Sequence, residues 1–151
     1  MKIAYLDCIS GISGDMTLAA LVDAGVELAA LQAAIDTLKI PGCRLVATEV
    51  KRHGFRATHV KVEHEPEHAH RHLHHIESMI DGSGLTPAQQ DLAKRIFQQI
   101  GKAEAKVHGT TIQKIHFHEV GAVDSIADIC GAAVGLNLLG VDRIVASPVP
   151  T

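Results

Sequence analysis

Aromatic residues are scarce in this 151-residue sequence, which contains no Trp, one Tyr and three Phe. Because 46% of the residues are nevertheless hydrophobic, we expect a core of ordinary size built from Leu, Ile, Val and Ala. The sequence also lacks a basic excess, since its formal net charge is −3 with neutral histidines. This charge argues against a nucleic-acid-binding protein, which would normally present a basic face.

Cysteines are few and widely spaced. Cys8, Cys43 and Cys130 form no C-x-x-C pair, and their apolar surroundings predict reduced, buried thiols, as is usual in the cytoplasm. The N-terminus has no signal-peptide pattern, and no apolar run approaches the roughly 20 residues needed to cross a bilayer. We therefore expect a cytoplasmic protein without a membrane segment.

The hydrophobic pattern predicts an α/β fold, with α+β as the alternative. We expect a small mixed sheet of about four strands covered by helices, all within one domain spanning residues 1–151. Strands are predicted at 3–6, in a hairpin around His53-Gly54, and at 142–149. Thr86-Pro87 is typical of a helix start, and residues 122–139 predict a buried central helix.

A histidine tract is the strongest local signal for metal binding. Neutral imidazole is a good ligand for nickel, zinc and copper, and alternate positions of an extended segment project to one side. This pattern makes four alternating histidines candidate metal ligands: His68, His70, His72 and His74. The alternative is a solvated histidine-rich loop without a defined site.

A second cluster lies at residues 115–128. His116 and His118 are candidate metal ligands because they share a side if the segment is extended. Asp124 and Asp128 lie one helical turn apart on an apolar helix, where a carboxylate is costly to bury unless it is paired or faces a metal. We predict Asp128 as a metal ligand and Glu119 as a general base. The structural alternative is that Asp124 caps the helix and Asp128 anchors a backbone amide.

The predicted strand-to-helix turn at residues 7–15 is rich in Gly and Ser. Such a turn can hold an anion with its backbone amides, although this one lacks the Lys of a phosphate-binding loop. Its carboxylates would repel phosphate, but they could hold a cation that bridges to it. The candidate binding residues are Asp7, Ser10, Ser13, Gly14 and Asp15, and the alternative is a plain tight turn.

Three stretches together resemble the LarC family of nickel-insertion proteins, which act in the maturation of lactate racemase. The residues that carry the resemblance are Tyr5–Met16, His70–His72 and His116–Ile129, and the likeness extends over the whole chain to Ala146–Pro150. The segment beginning His116-Phe117-His118-Glu119 is the longest and most specific of them.

The resemblance implies insertion of nickel into pyridinium-3,5-bisthiocarboxylic acid mononucleotide, which gives the nickel-pincer nucleotide cofactor. It also implies a lyase-class chelatase, or cyclometallase, that uses CTP with magnesium or manganese. A base must remove the ring proton as the nickel–carbon bond forms. We expect His116, His118 or Glu119 to act as that base and the histidine tract to deliver nickel. The candidate catalytic residues are Glu119, His118 and Asp124.

Family members are longer, and the resemblance implies that their CTP-binding part is C-terminal. We therefore expect this chain to be an N-terminal metal-handling part that does not complete turnover alone. Its partners would be the pyridinium mononucleotide and that C-terminal part. The sequence is also compatible with a homo-oligomer. The competing interpretations are a non-enzymatic nickel store or metallochaperone, for which the histidine tract alone would suffice, and, ranked last, a metal-dependent phosphohydrolase.

Overall fold

The structure, a computed structural model, describes residues 1–65, 71–115, 117 and 120–150. The expected α/β class is confirmed. Within the described residues the elements follow the order β1 (Ile3–Leu6), α1 (Gly14–Asp23), α2 (Leu28–Asp36), β2 (Arg44–Arg52), β3 (Phe55–Glu63), α3 (Leu73–Asp81), α4 (Pro87–Val107), α5 (Val123–Leu138) and β4 (Arg143–Ala146).

The four strands form two pairs, where the sequence had suggested one mixed sheet. β1 and β4 pair in parallel, with Ile3 in register with Arg143. β2 and β3 pair antiparallel over their whole lengths. The alternation of apolar residues predicts a strand and its buried face, but it does not specify which strand lies beside it. The number of strands was therefore predictable and their pairing was not.

The predicted hairpin around His53-Gly54 is confirmed. Both turn residues have positive φ, 49° at His53 and 87° at Gly54, as two-residue hairpin turns require. The hairpin is attached to α1 through Asp23, whose carboxylate accepts hydrogen bonds from Thr58 (2.7 Å) and Arg56 (2.9 Å). The Thr58 hydrogen bond, followed by the Arg56 guanidinium, lowers the pKa of Asp23.

The predicted central helix is α5, which contributes much of the buried core. Its contact with α1 depends on two glycines. A Cβ at Gly131 would lie 2.7 Å from Leu18 Cδ2, and one at Gly135 would lie 2.8 Å from Leu21 Cδ1. The missing side chains therefore allow α1 to approach α5 closely, and this approach places the N-terminus of α1 beside α5.

The long helix α4 begins where the sequence predicted. Thr86 Oγ1 accepts from the Gln89 amide (3.4 Å), and Gln89 Oε1 accepts from the Thr86 amide (2.8 Å), which completes a capping box. In the middle of α4, the fully buried ring of Phe97 meets that of Phe117, with a centroid distance of 6.4 Å. This contact makes Phe117 part of the core.

The three cysteines are free and buried, as expected from the sequence. None of the helices in the described ranges combines the length and the apolar character that a bilayer crossing requires.

Candidate functional site

The turn between β1 and α1 is held to the other end of the chain. The Cys8 amide donates to Ser147 Oγ (2.8 Å), and the Ser147 amide donates to the Leu6 carbonyl (2.9 Å). Gly11 takes a φ of 90° and donates to the Cys8 carbonyl (2.9 Å), so the chain turns sharply before α1. These hydrogen bonds define the conformation of the turn, and the turn positions the first residues of α1.

Ser13 occupies the N-cap position of α1 with an extended backbone. Its hydroxyl does not cap the helix, however, because it donates to Asp15 Oδ1 instead. The same oxygen of Asp15 accepts from the Met16 amide (2.9 Å). Asp15 is thus held at the helix N-terminus, where a negative charge is favourable.

Gly14 brings this turn into contact with α5. A Cβ at Gly14 would lie 2.3 Å from Asp128 Oδ2, so only glycine allows the two groups to approach this closely. The contact joins two predicted site residues that are distant in sequence. Because a carboxylate already lies at this helix N-terminus, the arrangement disfavours an anion and favours a cation there.

Asp128 is the carboxyl group of the site whose pKa is shifted furthest from its ordinary value. Its Oδ1 is buried and has no hydrogen-bond partner among the described residues. Burial, then the charges of Asp15 and Asp124, raises its pKa from 3.8 to about 6. The predicted alternative, that Asp128 anchors a backbone amide, therefore does not hold for this oxygen. A carboxylate without a partner is a group that a cation or a proton would stabilise.

Asp124 lies one turn before Asp128, in the first turn of α5. Its side chain is exposed, and Oδ1 accepts from the Ser125 amide (2.7 Å). The N-cap residue of α5 is Ala122, and the helix has no side-chain cap, so the alternative that Asp124 caps the helix is not confirmed, although Asp124 accepts from one amide of the first turn. The charge of Asp124 contributes to the raised pKa of Asp128.

A cleft of about 600 Å³ opens beside Asp128. Ser13, Gly14 and Thr17 line part of it, and the other lining residues besides Asp128 are apolar: Leu6, Ile12, Leu92, Ile96, Ile100, Ile129, Ala132, Leu136 and Ile144. Ligand sites commonly combine such apolar walls with a few polar groups. Asp7 does not line this cleft but a groove along β1, and Ser10 is exposed.

The end of the histidine tract lies against the second predicted cluster. Arg71 forms an antiparallel bridge with Phe117, whose amide donates to the Arg71 carbonyl (3.1 Å). The Arg71 guanidinium donates to the Gly121 carbonyl (2.8 Å), two residues before α5 begins. Arg71 is therefore attached to the described residues Phe117 and Gly121.

His72 strengthens this attachment through its ring. Its Nδ1 lies 2.8 Å from the Ile115 carbonyl oxygen, and since a carbonyl only accepts, Nδ1 must carry the proton. In the neutral ring the lone pair is then on Nε2. Histidines that bind metals commonly show this arrangement, in which one nitrogen donates to a carbonyl and the other has its lone pair towards the metal.

Three imidazoles cluster at the start of α3. The ring centroids of His74 and His75 are 4.0 Å apart, and that of His72 lies 5.4 Å and 5.5 Å from them. Desolvation, then the neighbouring His74, lowers the pKa of His75, which favours the neutral ring. A neutral imidazole is the form that binds metals.

Several predicted site residues lie outside the described residues, namely His68, His70, His116, His118 and Glu119. Their assignments as ligands or as a base therefore remain predictions. Among the residues that the structure does describe, no three His, Cys, Asp or Glu side chains are placed to hold a metal ion together.

One contributor was missed by the sequence reasoning: Arg71, which joins the tract to the start of α5. His75 belongs to the histidine tract but does not alternate with the four candidate ligands, and it adds a third ring to the imidazole cluster. Arg71 stood within the family-like stretch His70–His72, but its partner carbonyl is 50 residues away, and no local pattern indicates it.

The family described as nickel insertion protein has a model that matches residues 4–151. A relative from Rhodopirellula baltica described as "putative nickel insertion protein" is 50% identical over 151 residues, which is 99% of this chain and 38% of the relative. A relative from Desulfitobacterium hafniense is 49% identical over 149 residues, covering 99% of this chain and 37% of its own length. It is described as pyridinium-3,5-bisthiocarboxylic acid mononucleotide nickel insertion protein.

The chain thus spans less than two fifths of the length of these relatives. No solved structure matches the chain.

Proposed function

Because this chain belongs to the nickel insertion protein family, we propose that it contributes the nickel-handling part of a protein that inserts nickel into pyridinium-3,5-bisthiocarboxylic acid mononucleotide. The product would be the nickel-pincer nucleotide. The proposal includes a cytoplasmic location and a lyase-class reaction that uses CTP with magnesium or manganese. The CTP would be bound by the remaining part of the longer protein, so the 151 residues alone would not turn over.

The observation that carries the proposal is the attachment of residues 71–72 to residues 115–121. Arg71 and His72 contact Phe117, Gly121 and Ile115 through three hydrogen bonds of 2.8 to 3.1 Å. These contacts join the ends of the two histidine-bearing segments. We propose that His116 and His118 act together with His72 and His74 on one nickel ion, and that His68 and His70 deliver it.

The proposed chemistry requires a proton acceptor as well as ligands. Formation of the nickel–carbon bond replaces a C–H bond of the pyridinium ring, and the proton must leave to a base. We propose Glu119 or His118 for that role, with Asp124 at the start of α5 as the described carboxylate nearest to them in sequence. Imidazoles and carboxylates act as metal ligands and as bases only in their deprotonated forms, which are the neutral imidazole and the ionised carboxylate.

The cleft beside Asp128 is the proposed location of the pyridinium ring. Its apolar walls suit a flat aromatic ring, and a buried carboxylate suits the positive charge of a pyridinium. Its volume of about 600 Å³ is within the range of small-molecule sites. Ser13, Gly14 and Asp15 would contact the mononucleotide at the edge, with a cation bridging Asp7 or Asp15 to the phosphate.

Nickel titration of the chain tests whether both segments serve one ion. We would compare the wild type with His72→Ala/His74→Ala and with His116→Ala/His118→Ala, using calorimetry and X-ray absorption. His53→Ala/His59→Ala, with two exposed histidines of the hairpin, is the matched control. If one ion is shared, each site variant should weaken nickel binding at least about tenfold and remove nitrogen ligands, while the control should not.

The storage function predicts a different pattern. If only the tract histidines affect nickel binding, and if a full-length protein with His116→Ala/His118→Ala still forms the product, the chain is a nickel store. Oxygen-only coordination in the absorption spectrum would contradict both functions.

A further inference from the structure

The residues that the structure describes leave one face of the parallel pair β1–β4 uncovered. Ala4 and Leu6 lie on the face that meets the helices, where Ala4 packs against the core and Leu6 lines the apolar cleft. On the opposite face, Ile3 is 48% exposed and Tyr5 is 62% exposed. Parallel sheets are normally covered on both faces, so a two-stranded parallel sheet with an apolar open face is an incomplete one.

The free edge of β1 also has unpaired backbone groups. The Lys2 carbonyl accepts from the Asp142 amide (2.8 Å), and the Leu6 carbonyl accepts from the Ser147 amide (2.9 Å), so the even-numbered residues face β4. Because successive residues of a strand point their backbone groups in opposite directions, the amides and carbonyls of Ile3 and Tyr5 face away from β4. Within the described residues β1 pairs with β4 alone. Such an edge is a template for another strand.

A groove of about 530 Å³ follows this edge. Every residue from Lys2 to Asp7 lines it, as expected for a groove that runs along a strand edge and not over one face. It is also lined by α1, with Met16 (55% exposed) and Ala20, and by residues at and after the end of α5, namely Leu136, Leu139 and Val141. A strand added beside β1 would cover these apolar groups while pairing with the amides of Ile3 and Tyr5.

We propose that this edge and groove bind a strand from the part of the family's longer chain that lies outside the matched region. The matched relatives are more than twice as long as this chain, so a large polypeptide is available to complete the sheet. A second parallel neighbour would bury β1 in the middle of a sheet, where its short apolar sequence Ile3–Leu6 is typical. This inference is independent of the nickel chemistry.

Amide hydrogen exchange of Ile3 and Tyr5 tests the proposal. We would measure it in the 151-residue chain and in a full-length chimera in which this chain replaces the matched part of the Rhodopirellula baltica protein. We expect exchange at both residues to be at least about tenfold slower in the chimera, because new strand pairing protects edge amides. The natural full-length relative, measured at the aligned strand against its own matched part, provides a second comparison that needs no chimera.

Unchanged exchange in both full-length proteins would overturn the proposal. Protection that appears in the 151-residue chain alone and grows with its concentration would also overturn it, because a second copy would then be the occupant. Within the chimera, Tyr5→Pro removes one edge donor and leaves the hydrogen bonds to β4 in place. This variant should increase exchange at Ile3 and in the added strand. Phe55→Lys, at an exposed aromatic residue of the hairpin, should not.

Discussion

Replacing Asp128 with Asn should stabilise the protein at neutral pH and leave its stability unchanged in acid. The folded protein raises the pKa of Asp128 from 3.8 to about 6, so the folded carboxyl keeps its proton up to a higher pH than the unfolded one. The contribution of Asp128 to the free energy of unfolding is therefore constant below pH 3.8. It decreases as the pH rises to about 6 and stays at its minimum above that.

The magnitude follows from the shift. At 1.36 kcal/mol per pKa unit, the full shift would correspond to about 3 kcal/mol. Because Asp128 is only partly buried, solvent screening reduces this value, and we expect about 1–2 kcal/mol. Asn keeps the shape of the side chain and removes the charge, so Asp128→Asn should regain about this amount above pH 6.

Urea unfolding of both proteins between pH 3.5 and 7.5 measures this effect. The difference in the free energy of unfolding should be near zero at the acid end and should increase between pH 4 and 6. Asp91→Asn is the control, because its carboxylate is exposed on α4 beside Arg95 (2.8 Å). A difference that does not change with pH, or a wild type that is the more stable at pH 7, would refute the electrostatic explanation.

Three further substitutions test contacts that position the site, each measured by urea unfolding. Gly14→Ala should destabilise by about 1–3 kcal/mol, because its Cβ would lie 2.3 Å from Asp128 Oδ2, and the added change Asp128→Ala should recover much of the loss. Thr86→Ala removes the cap of α4 and should cost about 1 kcal/mol, whereas Thr86→Ser should cost less. Arg71→Ala removes the hydrogen bond to the Gly121 carbonyl and should cost about 1–2 kcal/mol; no loss would mean that this bond does not hold the two segments together.

Features of the fold that depend on local sequence were predicted well. The hairpin at His53-Gly54, the capping box at Thr86 and the buried helix α5 each have a signal that lies within a few residues of the feature. The separation of the strands into two pairs has no such signal. β1 joins β4 from the opposite end of the chain, and their apolar patterns would fit equally well beside β2 or β3.

The candidate site likewise has features that local sequence predicts and features that depend on tertiary structure. Residue types and spacing identified Asp124, Asp128 and the histidines as candidates, because carboxylates and imidazoles on apolar or extended segments are unusual. The two contacts that organise the site depend on tertiary structure. Gly14 reaches Asp128 only because α1 packs on α5, and His72 reaches the Ile115 carbonyl 43 residues away. Local sequence patterns do not indicate contacts between residues so far apart in the chain.

A purely structural role and a nickel-handling role for Asp128 predict different pairs of results for the same variant. A carboxyl group kept only for packing would give a more stable Asp128→Asn protein with unchanged nickel affinity. A cation ligand should give a more stable protein that binds nickel more weakly, because the buried oxygen without a partner loses the charge that attracts the ion. Calorimetric nickel titrations at pH 7.5, above the raised pKa of Asp128, should show affinity reduced by about tenfold in Asp128→Asn. Equal affinities of the two proteins, together with increased stability of the variant, would remove Asp128 from the predicted nickel ligands and leave only its proposed role beside the pyridinium ring.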